Sequence, residues 1–238
     1  MTRRRWIADE ITGNRAALTG DHARHLAQVL RAEVGQEFDI STGAEVRRAR
    51  IAIIRPERVE FELGETVTQS DQPDITVAIS IFKFDRMEWA IEKCTELGVA
   101  RIVPVIAART EPHLATSATK RAERWRRIAN QASEQSRRPS APEISEPIKF
   151  KELPEMPGEA RIVLSETEPQ LTVKDAIPQQ SHSVLLAFGP EGGWKEQELE
   201  SFREAGWVPA CLGGTVLRSE TAVIAAVAVA ASILQKPE

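Results

Sequence analysis

Four short runs of this chain, ITVAISIF at 75–82, RIVPVIAA at 101–108, RIVLSE at 161–166 and SVLLAFG at 183–189, are apolar without polar alternation. A strand with no polar side belongs in a sheet covered by helices on both faces, so this part of the chain is expected to be α/β. Between the runs lie helical patterns. Met87, Ala90, Ile91 and Cys94 share one helix face, with Asp85 and Glu88 spaced as a D-x-x-E capping box and Gly98 as the stop. A second helix is expected from about Ser117 to Arg138, followed by a proline-rich connector, Pro139 to Pro157, running over the surface.

Residues 1–70 read differently. Val46, Ala49, Ile51 and Ile53, then Val59, Phe61 and Leu63, alternate with polar neighbours, and Gly35, Gly43 and Gly64 punctuate them. DHARHLAQVLRAEVG has helical spacing at His25, Leu26, Val29 and Leu30, with Asp21 placed to cap its start. A small β-barrel with one helix is expected, ending at the turn-rich SDQPD of 70–74, so that a second domain spans 74–238.

Composition narrows the function. The formal net charge of -4 argues against a protein that coats nucleic acid indiscriminately, so any RNA site is a local patch. The two cysteines, Cys94 and Cys211, lie far apart in apolar stretches and offer neither a zinc spacing nor a disulfide framework, which fits a reducing cytoplasm. His22, His25, His113 and His182 form no ligand pattern, so no metal is expected. The N-terminus lacks the apolar run of a signal peptide and Ala222–Leu234 is too short to span a bilayer, so neither membrane nor export is expected.

Two segments carry the candidate chemistry. VLLAFGPEGGW at 184–194 and CLGGTVLRSETA at 211–222 each leave an apolar strand, cross glycines and enter a helix. Each is either a plain glycine turn or a loop whose amides cradle an anion or the polar edge of a cofactor, and open α/β sheets bind ligands at such strand ends. Neither is the G-x-G-x-x-G fingerprint nor the G-x-x-x-x-G-K-[ST] loop, which counts against a Rossmann dinucleotide enzyme and an NTPase.

GPEGGW followed by LGGTVLRSETA resembles the bacterial 16S ribosomal RNA uridine-N3 methyltransferases of the SPOUT superfamily. KFDRMEWAIEKCTELGVARIVPVIAART and RWRRIANQASEQSRRPSAPEI are similar to that family's other signature stretches, and DHARHLAQVLR to its N-terminal domain. The resemblance covers nearly the whole chain. Trp194 stands where phenylalanine is more usual, and Ser219 where threonine is common. The resemblance implies a PUA-like N-terminal barrel, a trefoil-knotted SPOUT methyltransferase domain, a homodimer, S-adenosyl-L-methionine as cofactor and the small ribosomal subunit as partner. It places the cofactor against Leu164, Ser165, Gly189, Glu191, Gly192, Leu212, Gly213, Leu217 and Thr221. Glycines there let the backbone approach a ligand closely, and Glu191 is read as holding its own loop by accepting amides.

Methylation at uridine N3 requires loss of a ring proton and stabilisation of the anionic base. Arg218 is the candidate stabiliser, a salt bridge with Glu220 or with a neighbouring subunit being the competing role, and Glu220 is a weaker candidate proton acceptor. For RNA, Lys120, Arg124, Arg127, Gln131 and Arg138 fall along one side of a helix beside the apolar Trp125, Ile128 and Ala132. Residues 117–142 hold seven Lys/Arg against two Asp/Glu, favouring phosphate contact over a merely solvated face. Lys83, Arg86, Arg109 and Arg137 could add contacts or simply solubilise. Small residues along AVIAAVAVAASIL suit either core burial or close packing across a dimer. The competing readings are a ribose 2'-O-methyltransferase on the same fold and a non-catalytic ribosome assembly factor.

Overall fold

The computed structural model describes residues 5–43, 45–67, 74–136, 138–166 and 171–234. The chain divides into two compact units, Met1–Ser70 with Ser133–Ser140, and Asp71–Ala132 with Ala141–Glu238. Most of the SDQPD segment, residues 70–73, lies outside the described residues.

The first unit is a six-stranded sheet. Its strands are β1 (Arg5–Ile7), β2 (Glu10–Thr12), β3 (Arg15–Thr19), β4 (Glu37–Ser41), β5 (Val46–Arg55) and β6 (Arg58–Val67), with α1 (Gly20–Arg24) after β3. The order is β1-β4-β5-β6-β3-β2, all antiparallel except the β1–β4 pair. β1 and β2 form opposite edges, yet only Ala8 and Asp9 join them, their amides bonding Ser41 of β4 and Ala17 of β3. A two-residue link reaches only about 10 Å, so the sheet curls until its edges approach.

Two irregularities in the β5–β6 ladder shape that curl. At Gly64 a Cβ would lie 2.9 Å from the Arg48 carbonyl oxygen, so only glycine fits. A register shift between Ile51 and Ile53 adds a residue to β5 and reverses its alternation, so Ile54, not the expected Ile53, packs against the core of Leu18, Leu26, Ile40, Ile51 and Phe61. The expected helix is also altered. The N-cap position of α1 is Thr19, not Asp21, without a side-chain cap bond, and the helix passes into a π-helical turn at His25–Val29. The wider turn rotates the apolar stripe, leaving Leu26 buried and Val29 67% exposed.

The second unit is a parallel sheet of β7 (Asp74–Ser80), β8 (Arg101–Ile106), β9 (Glu143–Ile144), β10 (Ile148–Lys149), β11 (Ala160–Leu164), β12 (Ser183–Phe188) and β13 (Val208–Ala210). The order is β10-β8-β7-β12-β11-β13, with β9 also beside β8. Its helices are α2 (Phe84–Glu96), α3 (Pro112–Ser136), α4 (Val173–Ala176), α5 (Glu196–Glu204) and α6 (Ser219–Leu234). The strands are apolar on both sides because each feeds two cores. Ile75, Val77, Ile79, Ile162, Val184 and Leu186 join a core with α2, α3 and α6, while Ala78, Val103, Val163, Leu185 and Ala187 join one with α5, Trp194 and Trp207.

Three local expectations are corrected. α2 begins at Phe84 with Lys83 as its cap and no side-chain cap bond, so Asp85 sits inside the first turn and the capping box does not form. Glu88 instead accepts two bonds from Arg124, at 2.6 and 2.8 Å. α3 starts at Pro112, where proline costs no helical hydrogen bond. The connector 139–157 contributes β9 and β10 to the sheet edge, and its Pro154 carbonyl accepts the Trp207 indole N–H at 3.0 Å.

Candidate methyl-transfer site

The carboxyl ends of β11, β12 and β13 open onto a cavity of about 370 Å³, of the size that takes a small organic ligand. Both glycine-bearing segments wall it. Gly189, Pro190, Glu191 and Gly193 follow β12, and Leu212 to Leu217 follow β13, while Leu164, Ser165 and Glu166 close it from the end of β11. Phe188, Leu199 and Ala222 add apolar surface. The lining mixes the apolar Leu164, Phe188, Leu199 and Leu217 with the polar Ser165, Glu166, Glu191 and Thr215, which suits a molecule with both an apolar and a polar part.

Hydrogen bonds from neighbouring elements hold the 189–194 turn. The Trp194 indole N–H donates to the Leu164 carbonyl at 3.1 Å, and its ring packs edge-on against Phe202 at 5.1 Å. The Lys83 amide donates to Glu191 Oε1 at 3.5 Å, so the Glu191 carboxylate reaches the loop after β7 instead of bonding its own. The second loop is anchored at its base, where Cys211 N–H donates to Leu171 and its carbonyl accepts from Val173. Beyond it Gly213 adopts φ +124, a conformation side chains rarely take.

Of the residues assigned to the cofactor, Leu164, Ser165, Gly189, Glu191, Leu212, Gly213 and Leu217 line this cavity. Gly192 and Thr221 do not: the Gly192 carbonyl accepts from Arg109, and Thr221 is exposed on α6. Glu166 and Val216, each directly beside an assigned residue, also line it, as does Thr215 between Gly213 and Leu217. Arg218 is exposed between the lining residues Leu217 and Ser219 and has no ion pair among the described residues. The Arg218–Glu220 salt bridge does not form. Glu220 is 6% exposed and faces Arg86 of α2 at 3.7 Å, and it is not among the residues that line the cavity.

The basic residues fall into distinct groups. Lys83, Lys120 and Arg127 are exposed, the last two without ion pairs among the described residues. Arg124 is exposed but paired with Glu88, and Arg121 lies over the Phe84 ring at 4.7 Å while also reaching Glu88 at 3.4 Å. Arg138 is only 7% exposed and burial pushes its guanidinium pKa down to about 10, so it cannot reach a phosphate as placed. Arg109 is exposed, and its Nη1 donates to the glycine turn. Arg137 lies outside the described residues.

The family model described as RNA methyltransferase domain matches residues 68–231. The chain belongs to this RNA methyltransferase family. Among its relatives, the Ribosomal RNA small subunit methyltransferase E of Bacillus subtilis is 31% identical over 220 residues, covering 87% of this chain and 85% of that protein. The protein of that name from Aquifex aeolicus is 30% identical over 228 residues, covering 94% and 97%. A crystal structure of the Neisseria gonorrhoeae Ribosomal RNA small subunit methyltransferase E, bound to S-adenosyl methionine, superposes with a TM-score of 0.85 at 32% identity, covering 95% of this chain and 96% of that one. The kinship read from GPEGGW and LGGTVLRSETA therefore holds for this RNA methyltransferase. Among its described residues no helix is long and apolar enough to cross a membrane.

Proposed function

We propose that this chain transfers a methyl group from S-adenosyl-L-methionine to N3 of one uridine in 16S ribosomal RNA of the small ribosomal subunit. The observation that carries the reading is the cavity walled by both glycine-bearing loops at the carboxyl ends of parallel strands, in a chain whose relatives are named as small-subunit ribosomal RNA methyltransferases and include one bound to S-adenosyl methionine.

When bound, the cofactor supplies an electrophilic methyl group. The chain supplies the rest. Leu164, Phe188 and Leu217 offer apolar surface to a ring, and the 189–193 and 212–216 backbones offer donors and acceptors. Arg218, exposed beside the lining residue Leu217 and with no ion pair among the described residues, would stabilise the negative charge that uracil gains when N3 loses its proton. Lys83, Lys120 and Arg127 remain as phosphate contacts.

The reading includes a PUA-like first unit, supported by its curled sheet, and a C-terminal knot, supported by the bonding of Cys211 to the 171–173 segment before α6 packs on α2, α4, β7 and β12. It also includes a cytoplasmic homodimer, supported by the small residues Ala225 and Ala228 on the less buried side of α6. The test is transfer of labelled methyl to unmodified small subunits, with mass spectrometry of the nucleosides. N3-methyluridine is expected. A 2'-O-methylated nucleoside would transfer the case to a ribose enzyme, and RNA binding without label to an assembly factor.

A further inference from the structure

The loop after β8 grips the cofactor-side glycine turn at two points. Arg109 Nη1 donates to the Gly192 carbonyl and, at 3.1 Å, to the Trp194 carbonyl, straddling Gly193 at φ +69. Four residues beyond Trp194, the Glu198 carboxylate, 5% exposed, accepts the Ala108 amide at 2.9 Å through Oε1 and the Lys195 amide at 2.8 Å through Oε2. One buried carboxylate thus ties the residue before Arg109 to the residue after Trp194. Thr110 completes the brace by accepting the Ala107 amide at 3.1 Å.

The fit is reciprocal. A Cβ added at Gly192 would lie 3.2 Å from Arg109 Cδ, so the arginine stem occupies the space that the missing side chain leaves. Trp194 then passes the constraint onward, since its indole N–H holds the carbonyl of Leu164, which lines the cavity. Arg109 also lines the cavity, yet its Nη1 is committed to two backbone carbonyls. Both Nη1 hydrogens are used on the turn, so the exposed guanidinium could meet a phosphate only through Nε and Nη2, and swinging it out would leave both carbonyls without their donor.

We propose that Arg109 is a positioning residue of the cofactor site and not an RNA contact: it fixes the 189–194 turn so that the turn's backbone keeps the shape of the cavity wall. The inference rests on the cofactor reading above. Glu198 and Thr110 aim Arg109, and Gly192 is glycine because Arg109 lies against it.

The experiment uses the full chain and three variants, Arg109→Ala, Arg109→Lys and Gly192→Ala, each checked for folding by circular dichroism. Affinity for S-adenosyl-L-methionine is measured by calorimetry, small-subunit binding as a function of salt, and KM and kcat by methyl transfer. Arg109→Ala is expected to weaken cofactor binding at least tenfold, about 1.4 kcal/mol, and to raise the cofactor KM more than it lowers kcat, with the salt slope unchanged. Arg109→Lys should recover part of the loss, since one ammonium can still donate to both carbonyls. Gly192→Ala should weaken binding in the same direction, with little further loss when combined with Arg109→Ala. Unchanged cofactor affinity in folded Arg109→Ala, or a salt slope reduced by about one phosphate contact, overturns the proposal. If Arg109→Ala does not fold, the Arg109→Lys and Gly192→Ala affinities decide it. Failure of the unmutated chain to bind the cofactor would instead defeat the functional reading itself.

Discussion

Gly213 and Gly214 form a matched pair on which the shape of the second loop can be tested. A Cβ at either would meet nothing within 4 Å, so replacing either by alanine causes no collision. They differ in backbone: Gly213 has φ +124, whereas Gly214 is outside the positive-φ set. Holding alanine at such a φ costs about 1–3 kcal/mol. Because the loop is exposed at both positions, it can relax by moving instead of unfolding the sheet, so the cost should fall on ligand binding. With about 2 kcal/mol charged to the bound shape, Gly213→Ala is expected to weaken S-adenosyl-L-methionine binding about 30-fold, and Gly214→Ala by less than about twofold. Calorimetric titration measures the affinities, and urea unfolding should place both variants within about 0.5 kcal/mol of the parent. Equal losses in the two variants, or none in either, would refute the argument that backbone conformation, and not side-chain room, requires glycine here.

Three further outcomes are expected. Arg218→Ala should lower methyl transfer by about 10²–10³-fold, the usual cost of one oxyanion donor, while leaving cofactor affinity within twofold; retained activity in single-turnover assays would take Arg218 out of the chemistry. Arg127→Ala should reduce the slope of log K against log salt for small-subunit binding by about 0.7–0.9, whereas Arg138→Gln, at a buried position, should leave it unchanged; the reverse pattern would contradict the surface described. In the first unit, His22 bonds Asp9 at 3.1 Å and reaches Glu134 at 3.4 Å, beside the Trp6 ring and with Asp21 on its own helix. The hydrogen bond to Asp9 raises its pKa above the usual value, as does the charge of Glu134, itself pushed up by burial. The stabilising charge is therefore fully present below about pH 6.5 and lost as pH rises through the raised value. Amide exchange in β5 and β6 should quicken from pH 6 to 8 after correction for intrinsic rates, and His22→Gln should abolish that excess.

The parts of the fold that local chemistry controls were readable from sequence. The unbroken apolar strands, the Met87–Cys94 face and the stop at Gly98 follow from periodicity and from φ +91 at that glycine. The glycine loops were also readable, because their position after a strand and before a helix is a linear pattern. What long-range partners decide was not. Glu88 looks like half of a capping box until Arg121 and Arg124, more than thirty residues later, draw it away. Arg109 and Arg138 look like surface cations until the fold turns one onto a glycine turn and buries the other. Val29 fits a 3.6-residue stripe and leaves it because the helix widens at His25. Ile53 fits a two-residue alternation and leaves it because β5 carries an extra residue. For the charged residues the local rule was sound and the fold overrode it, whereas for Val29 and Ile53 an irregularity inside the element itself broke the period.

The sheet order has a consequence for when the enzyme comes into being. Apart from Arg109 and Leu199 the cavity walls are drawn from 164–166, 188–194 and 210–222, and β13, the last strand in the chain, pairs with β11 at the edge of the sheet. A nascent chain that has completed β12 holds the central strands and one glycine loop but no enclosed cavity. Cofactor capture therefore waits on the last fifth of synthesis, and so does any stabilisation that the cofactor confers. A product truncated before β13 would keep the β12 loop but lack the whole 210–217 wall of the cavity, so premature termination there yields a fragment with an incomplete site.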